Sequence, residues 1–204
     1  MSDHRAVLVI TGLPGTGKTT LARYLAQRYR APLIAKDTIK EPLLDVLGAP
    51  DRARSRTLSD ASFAVLFALA REQLRAGVGV LLEGNFRPAE HSAPLAHLVA
   101  IPPPAGITAG CAQVLCCADE ATRSRRIAAR AADPARHPGH RDAELAAAPP
   151  ADAMLEIDGS RFVFTGFEAS DWSALRAALD RWWASGDRGA ERPDGGVGAC
   201  VRPA

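Results

Sequence analysis

The chain has 204 residues, 47% of them hydrophobic and 24% charged, with 25 basic against 23 acidic side chains. That composition suits one globular domain with a full core, and a net charge of +2 gives no bulk reason to bind nucleic acid or an anionic membrane. No stretch reaches the roughly 18 apolar residues of a membrane span, and Met1-Ser2-Asp3-His4-Arg5 lacks the layout of a signal peptide, so the sequence predicts a cytoplasmic protein.

Ala6 to Ile10 is a short, continuous apolar run, the pattern of a strand buried on both faces. A glycine-rich turn from Thr11 to Lys18 comes next, and Thr19 to Arg30 has helical spacing through Leu21, Tyr24, Leu25 and Tyr29. Pro32 to Ala35 predicts a second strand. Asp37 or Thr38 then suits the N-cap of a helix that runs to Leu47 and closes at Gly48. Thr57 to Ala76 predicts a long helix, Val78 to Leu82 a third strand, and Ala89 to Leu98 a helix. Gln113 to Cys117 is the fourth strand, Asp119 to Ala132 an arginine-rich helix, Arg161 to Thr165 the fifth strand, and Trp172 to Trp182 the last helix. Strands alternating with helices imply an α/β fold with a parallel sheet. One domain over 1–184 is expected, with a lid at about 119–150 and a flexible, glycine-rich tail from 185 to 204. The cysteines at 111, 116, 117 and 200 have no metal-ligand spacing and are expected to be small buried hydrophobes without a disulfide framework.

Gly12-Leu13-Pro14-Gly15-Thr16-Gly17-Lys18-Thr19 matches G-x-x-x-x-G-K-[ST] in full, between an apolar strand and an amphipathic helix. Glycines let consecutive backbone N–H groups turn around phosphate oxygens, and the helix start adds its positive end. Lys18 reaches the outer phosphates, and the Thr19 hydroxyl can ligate Mg²⁺. Gly12, Pro14, Gly15, Thr16, Gly17, Lys18, Thr19 and Thr20 are therefore the expected nucleotide cradle. Lysine occurs only at 18, 36 and 40, whereas the other 22 basic residues are arginine; those three places suit a compact ammonium better than a planar fork.

The rest of the chain decides what the nucleotide is for. No N-K-x-D motif is present, Asn85 being the only asparagine, and 204 residues leave no room for the second domain of a motor. Both absences favour a small phosphotransferase. In a parallel sheet the carboxyl ends of the strands line the ligand crevice, so Asp37 after the second strand is placed to take the proton of an attacking hydroxyl. Lys40, one helical turn on, can steady acceptor or phosphate. Glu83 closes the third strand, where Mg²⁺ or its water shell is held, and Asn85 and Arg87 come after it as substrate contacts in the same loop. Arg123, Arg126 and Arg130 share one helix face, and Arg136 and Arg141 continue the cluster into a proline-broken loop. Closing over a triphosphate, such guanidiniums would stabilise the transferring group and exclude water.

In Gly12–Thr19, Lys36–Lys40, Leu82–Arg87 and Arg123–Arg141 the chain resembles the P-loop small-molecule kinases, among them chloramphenicol phosphotransferase, the zeta toxins, gluconate kinase-like enzymes and polynucleotide kinase domains. The resemblance implies a P-loop NTPase kinase fold with five parallel strands in the order 2-3-1-4-5, ATP with Mg²⁺, and Asp37 as general base. It also implies catalytic roles for Lys18, Arg130 and Arg136, contacts from Arg126 and Arg130 to adenine and phosphates, and an adenine pocket near Ile157-Asp158-Gly159. Glu83 stands where many relatives carry Asp. The expected reaction moves the γ-phosphate of ATP to a hydroxyl of a small molecule, with an antibiotic or nucleoside-like natural product as the attractive acceptor and nucleic acid not expected as a partner. The competing readings are a polynucleotide 5′-hydroxyl kinase, which would want a basic strip and stacking aromatics, and a non-catalytic nucleotide-binding regulator or toxin module.

Overall fold

A computed structural model describes residues 4–49, 51–134, 137 and 153–185 of the chain. Five strands, β1 (His4–Gly12), β2 (Leu33–Ala35), β3 (Val80–Glu83), β4 (Thr108–Cys116) and β5 (Ser160–Phe164), form one parallel sheet in the order β2-β3-β1-β4-β5. Among the described residues six helices join and cover them: α1 (Lys18–Tyr29), α2 (Lys36–Leu47), α3 (Arg52–Arg75), α4 (Pro88–Val99), α5 (Glu120–Ala131) and α6 (Trp172–Ser185). The predicted class and strand order are those observed.

The strand alternation sorts the core into two layers. Val7 and Val9 of β1 point to one face, against Phe63, Leu66, Ala70 and Leu74 of α3 and Leu95 and Leu98 of α4. Ala6, Leu8 and Ile10 point to the other, against Leu21, Ala22 and Leu25 of α1 and Leu179 and Trp182 of α6. Fully burying an aliphatic side chain of this size contributes about 1.5–3 kcal/mol, so the central strand is held from both sides. Gln113 of β4 stitches the 153–159 segment to the sheet: its amide donates to the Leu155 carbonyl at 3.0 Å, and Leu155 N–H donates to its Oε1 at 2.8 Å.

Four local expectations change. β1 begins earlier than its apolar run because Arg5 is buried, its guanidinium donating to the carbonyls of Leu74, Ile101 and Pro102. α2 starts directly from β2, its N-cap Ala35 having no capping side chain, so neither Asp37 nor Thr38 is the cap. α3 starts at Arg52 and not Thr57, because Asp51 accepts a hydrogen bond from the Arg54 N–H at 2.7 Å and fixes the first turn. Cys111 and Cys116 are buried free thiols, as expected, whereas the buried Cys117 is disulfide-bonded, which its spacing gave no sign of. Arg136, the expected lid from residue 138 onward with Arg141, and the tail after Ser185 lie outside the described residues.

Candidate active site

β1 ends at Gly12 and α1 begins at Lys18, so the glycine-rich turn emerges at the carboxyl edge of the sheet, where the chain leaves β1 and β3 toward opposite sides. The turn needs its glycines. Gly12 has φ +143°, and a Cβ there would meet the Cys116 carbonyl oxygen at 2.4 Å; Gly15 has φ +85°, with the Arg123 backbone 3.0 Å from where its Cβ would lie. Thr16 ties the turn to itself, its hydroxyl donating to the Leu13 carbonyl at 2.8 Å. The Lys18 ammonium also reaches the Leu13 carbonyl, at 3.4 Å.

The strand ladder sets the floor. Glu83, the last residue of β3, is paired with Ile10 on one side and Ala35 on the other. Its carboxylate therefore lies between the turn after β1 and the start of α2. It is 3% exposed, and the Thr19 hydroxyl donates to its Oε1 at 3.3 Å. Burial pushes the Glu83 carboxyl above its ordinary range, Asp37 pushes the same way, and Lys18, Lys36 and the Thr19 hydrogen bond oppose the shift. Thr11 braces the neighbouring loop by donating to the Phe86 carbonyl at 3.2 Å.

Asp37 is the second residue of α2, half-exposed, with its Oδ1 3.0 Å from the ammonium of the buried Lys36. Lys18, Thr19, Glu83 and Asp37 thus meet in one crevice. Lys40 is buried and donates to the Ser55 hydroxyl at 2.9 Å, tying α2 to α3. Burial, with Lys36 nearby, lowers its pKa to about 8. Arg87 is paired with Glu90 on the first turn of α4. Asn85 is half-buried in the loop between them, and Thr20 is exposed on α1.

α5 lies against the back of the glycine-rich turn. Arg123 Nε donates to the Pro14 carbonyl at 3.3 Å, and an Arg126 guanidinium nitrogen to the Gly15 carbonyl at 3.1 Å. Two loop carbonyls are thus taken by arginines. Arg130, one turn on, buries Nε and Nη2 with no hydrogen-bond partner. A buried guanidinium with unspent donors is costly unless an anion meets it.

Two features escaped the sequence reading. Lys36 was visible as one of three scarce lysines and within the Lys36–Lys40 segment, but nothing in the spacing showed that it would be buried beside both acids. Phe164 at the end of β5 lies beside Gly17, opposite the Arg126 guanidinium, and joins Tyr24, Phe167 and Trp172 in an edge-to-face cluster. Ile157-Asp158-Gly159, by contrast, cannot flank the nucleotide turn. Ser160 is level with Ala112, and Asp158 and Gly159 line a small depression with Arg5, Val99 and Cys111 at the opposite, amino-terminal edge of the sheet. The 157–159 segment enters β5, and in a parallel sheet every strand is entered at the edge away from the crevice.

A donor set for Mg²⁺ is present. Thr19 and Glu83 offer hard oxygen atoms in contact with each other, and no group of three or more acidic, histidine or cysteine ligands occurs among the described residues. That sparse set fits Mg²⁺, which takes one or two protein oxygens and completes its shell with water and phosphate.

The family model described as an AAA domain matches residues 7–148. A Chloroflexus aurantiacus protein provisionally assigned as a kinase is 32% identical, with a TM-score of 0.73, covering 87% of this chain and 97% of its own. A sugar kinase from Janibacter sp. HTCC2649 shares the fold at 19% identity and a TM-score of 0.51, covering 90% of this chain and 96% of its own. The APS kinase of Mycobacterium tuberculosis, solved with AMPPNP and APS, does so at 18% identity and 0.54, covering 86% and 96%. No curated protein matches the sequence. No helix among the described residues is long and apolar enough to cross a membrane.

Proposed function

The chain belongs to the AAA domain family, in its P-loop kinase form, and on that footing we propose that it transfers the γ-phosphoryl group of ATP to a hydroxyl of a small molecule. The observation that carries this reading is the convergence of Lys18, Thr19, Glu83 and Asp37 at the ends of β1, β2 and β3. A regulator that only binds nucleotide needs the first two of these; it has no use for a carboxylate across the crevice from them.

Each residue then has a task. The backbone and Lys18 hold the phosphates, while Arg123 and Arg126 brace the outside of the turn by taking its carbonyls. The unspent donors of Arg130 suit phosphate oxygens. Thr19 and Glu83 would hold Mg²⁺, which supplies positive charge to the transferring group. Asp37 accepts the proton of the acceptor hydroxyl as its oxygen attacks. The aromatic cluster around Phe164, itself 1% exposed, packs behind Gly17 and supports the turn from within the core. Asn85 stays a candidate acceptor contact, as do Lys40 and Arg87, which also support α2 and α4.

The test is incubation with γ-labelled ATP and a panel of sugars, nucleosides, antibiotics and oligonucleotides, scored for labelled product. Asp37→Asn should lower transfer by on the order of a hundredfold or more while ATP binding is kept, because only proton acceptance is removed. Full transfer by that variant would overturn the assignment of the base. Label released only as free phosphate with every acceptor would overturn the kinase reading itself.

A further inference from the structure

The hairpin of α2 and α3 stands beyond the sheet, on the side of the crevice. α2 leaves directly from the carboxyl end of β2, and α3 returns to the amino-terminal edge, where the Leu74 carbonyl accepts from Arg5. Phe63 marks the level of the carboxyl edge on α3: its ring centre is 5.2 Å from that of Phe86 and 4.1 Å from that of His91, just past the end of β3. The turns from Arg52 to Ser62 therefore project about 16 Å past that edge. The hydrogen bond from Lys40 to Ser55 ties them to α2. Arg56 is two turns before Phe63, and so on the helix face that meets α4.

At this level two guanidiniums share one carboxylate oxygen. Arg56 Nη2 donates to Glu90 Oε1 at 3.1 Å, and Arg87 Nη1 donates to the same atom. Arg87 ends the loop that leaves Glu83, and Arg56 comes from the overhanging part of α3. The trio carries one net positive charge. Asp60, one turn on from Arg56, does not cancel it alone, because its charge also acts on the buried Lys40 ammonium. Each arginine gives the shared oxygen one N–H and stays about half exposed, at 58% for Arg56 and 40% for Arg87.

We propose that Arg56 and Arg87 are a receptor for an oxyanion carried by the acceptor, which makes the molecule phosphorylated a hydroxyl compound bearing a phosphate monoester or a carboxylate. The inference rests on the kinase reading above and names the substrate class of the same site. An exposed ion pair contributes at most about 1 kcal/mol to stability, and bringing a second guanidinium to the same oxygen adds repulsion between like charges. The arrangement has a use when a further anion meets both arginines. Guanidinium forks match carboxylate and phosphate oxygens in pairs, and Glu90 holds the two side chains together beforehand, which lowers the cost of ordering them on binding.

The test uses full-length protein saturated with Mg²⁺ and AMPPNP, so that the glycine-rich turn is filled, and inorganic phosphate as the probe, followed by its ³¹P line width. The wild type should bind phosphate with a Kd of about a millimolar or below. Arg56→Gln and Arg87→Gln should each weaken that binding about tenfold, as should about 0.5 M NaCl. Arg71→Gln, exposed further along α3, should leave it as it is. Glu90→Gln removes the competing carboxylate and should tighten it. No phosphate bound by the wild type, or binding that both arginine variants keep, would overturn the proposal. In the labelled-ATP panel, acceptors are compared as matched pairs: ribose 5-phosphate with ribose, glucuronate with glucose, and a nucleoside 5′-monophosphate with its nucleoside. The charged member should have a kcat/KM about tenfold higher or more, and Arg87→Gln should raise its KM about tenfold with the KM for ATP unchanged. Preference for the neutral member would equally overturn it. Phosphate binding needs no transfer, so label released only as free phosphate would sink the kinase reading and leave the oxyanion receptor to be judged by the ³¹P result.

Discussion

Lys40 carries its charge where water scarcely reaches, and that has a consequence for stability against pH. Its folded pKa, about 8, lies below the ordinary 10.5, so between these values the unfolded chain binds more protons than the native one. Stability attributable to this group therefore rises as pH climbs through that window and is lowest below it. Urea unfolding at pH 7.5 and 9.5 should show the wild type gaining on Lys40→Met at the higher pH; equal changes in both would contradict it. Gly12 belongs to the same scale. A methyl at that position meets a backbone oxygen that cannot move aside, at a φ that side chains avoid, so Gly12→Ala should cost about 3 kcal/mol or more in chemical unfolding. The identity of the cradle was legible because its chemistry is contiguous in sequence. The contacts of Lys40 with Ser55 and of Arg87 with Glu90 were not, because Ser55 is 15 residues away and the Glu90 pairing depends on where α4 begins.

Elements were legible where their apolar period was uninterrupted, as in β1, α1 and β3, and misread at their ends. α3 shows why: its first turn, Arg52-Ala53-Arg54-Ser55-Arg56, has no apolar stripe, and only the Asp51 side chain announces it. Asp51→Ala removes that cap and should cost about 1 kcal/mol, seen as a lower melting temperature with transfer unchanged. α2 failed in the opposite way. Two good capping residues stand at 37 and 38, yet the strand ladder with Glu83 delivers the backbone straight into helix, with the N-cap two to three residues earlier at Ala35. That displacement leaves Asp37 out of a capping hydrogen bond and in reach of Lys36. α5, the start of the expected lid, lies on the turn through Arg123 and Arg126. No periodicity in α5 names the carbonyls it will meet.

For the whole molecule, the alternation of strands and helices was enough to give a parallel sheet, and the resemblance gave its order. The edge far from the crevice was hidden. Arg5 looks like an ordinary polar flank, but it closes the amino-terminal edge by holding three carbonyls from α3 and the 101–102 turn. Arg5→Met keeps the bulk and strands those acceptors away from water, so it should destabilise by about 3 kcal/mol. Urea unfolding measures this; a loss under about 1 kcal/mol would mean that water takes the place of the guanidinium.

The central position of the first strand has a cost in time. β1 has no hydrogen-bonded neighbour until β3 exists some 70 residues later, and its other side waits for β4, about a hundred residues on. Such distant pairings are slow to form. During synthesis the run from Ala6 to Ile10 must therefore emerge from the ribosome unpaired and apolar, open to chaperones and to self-association until residue 116 is out. A stalled-ribosome force profile should accordingly show no folding of this domain until Cys116 has cleared the exit tunnel.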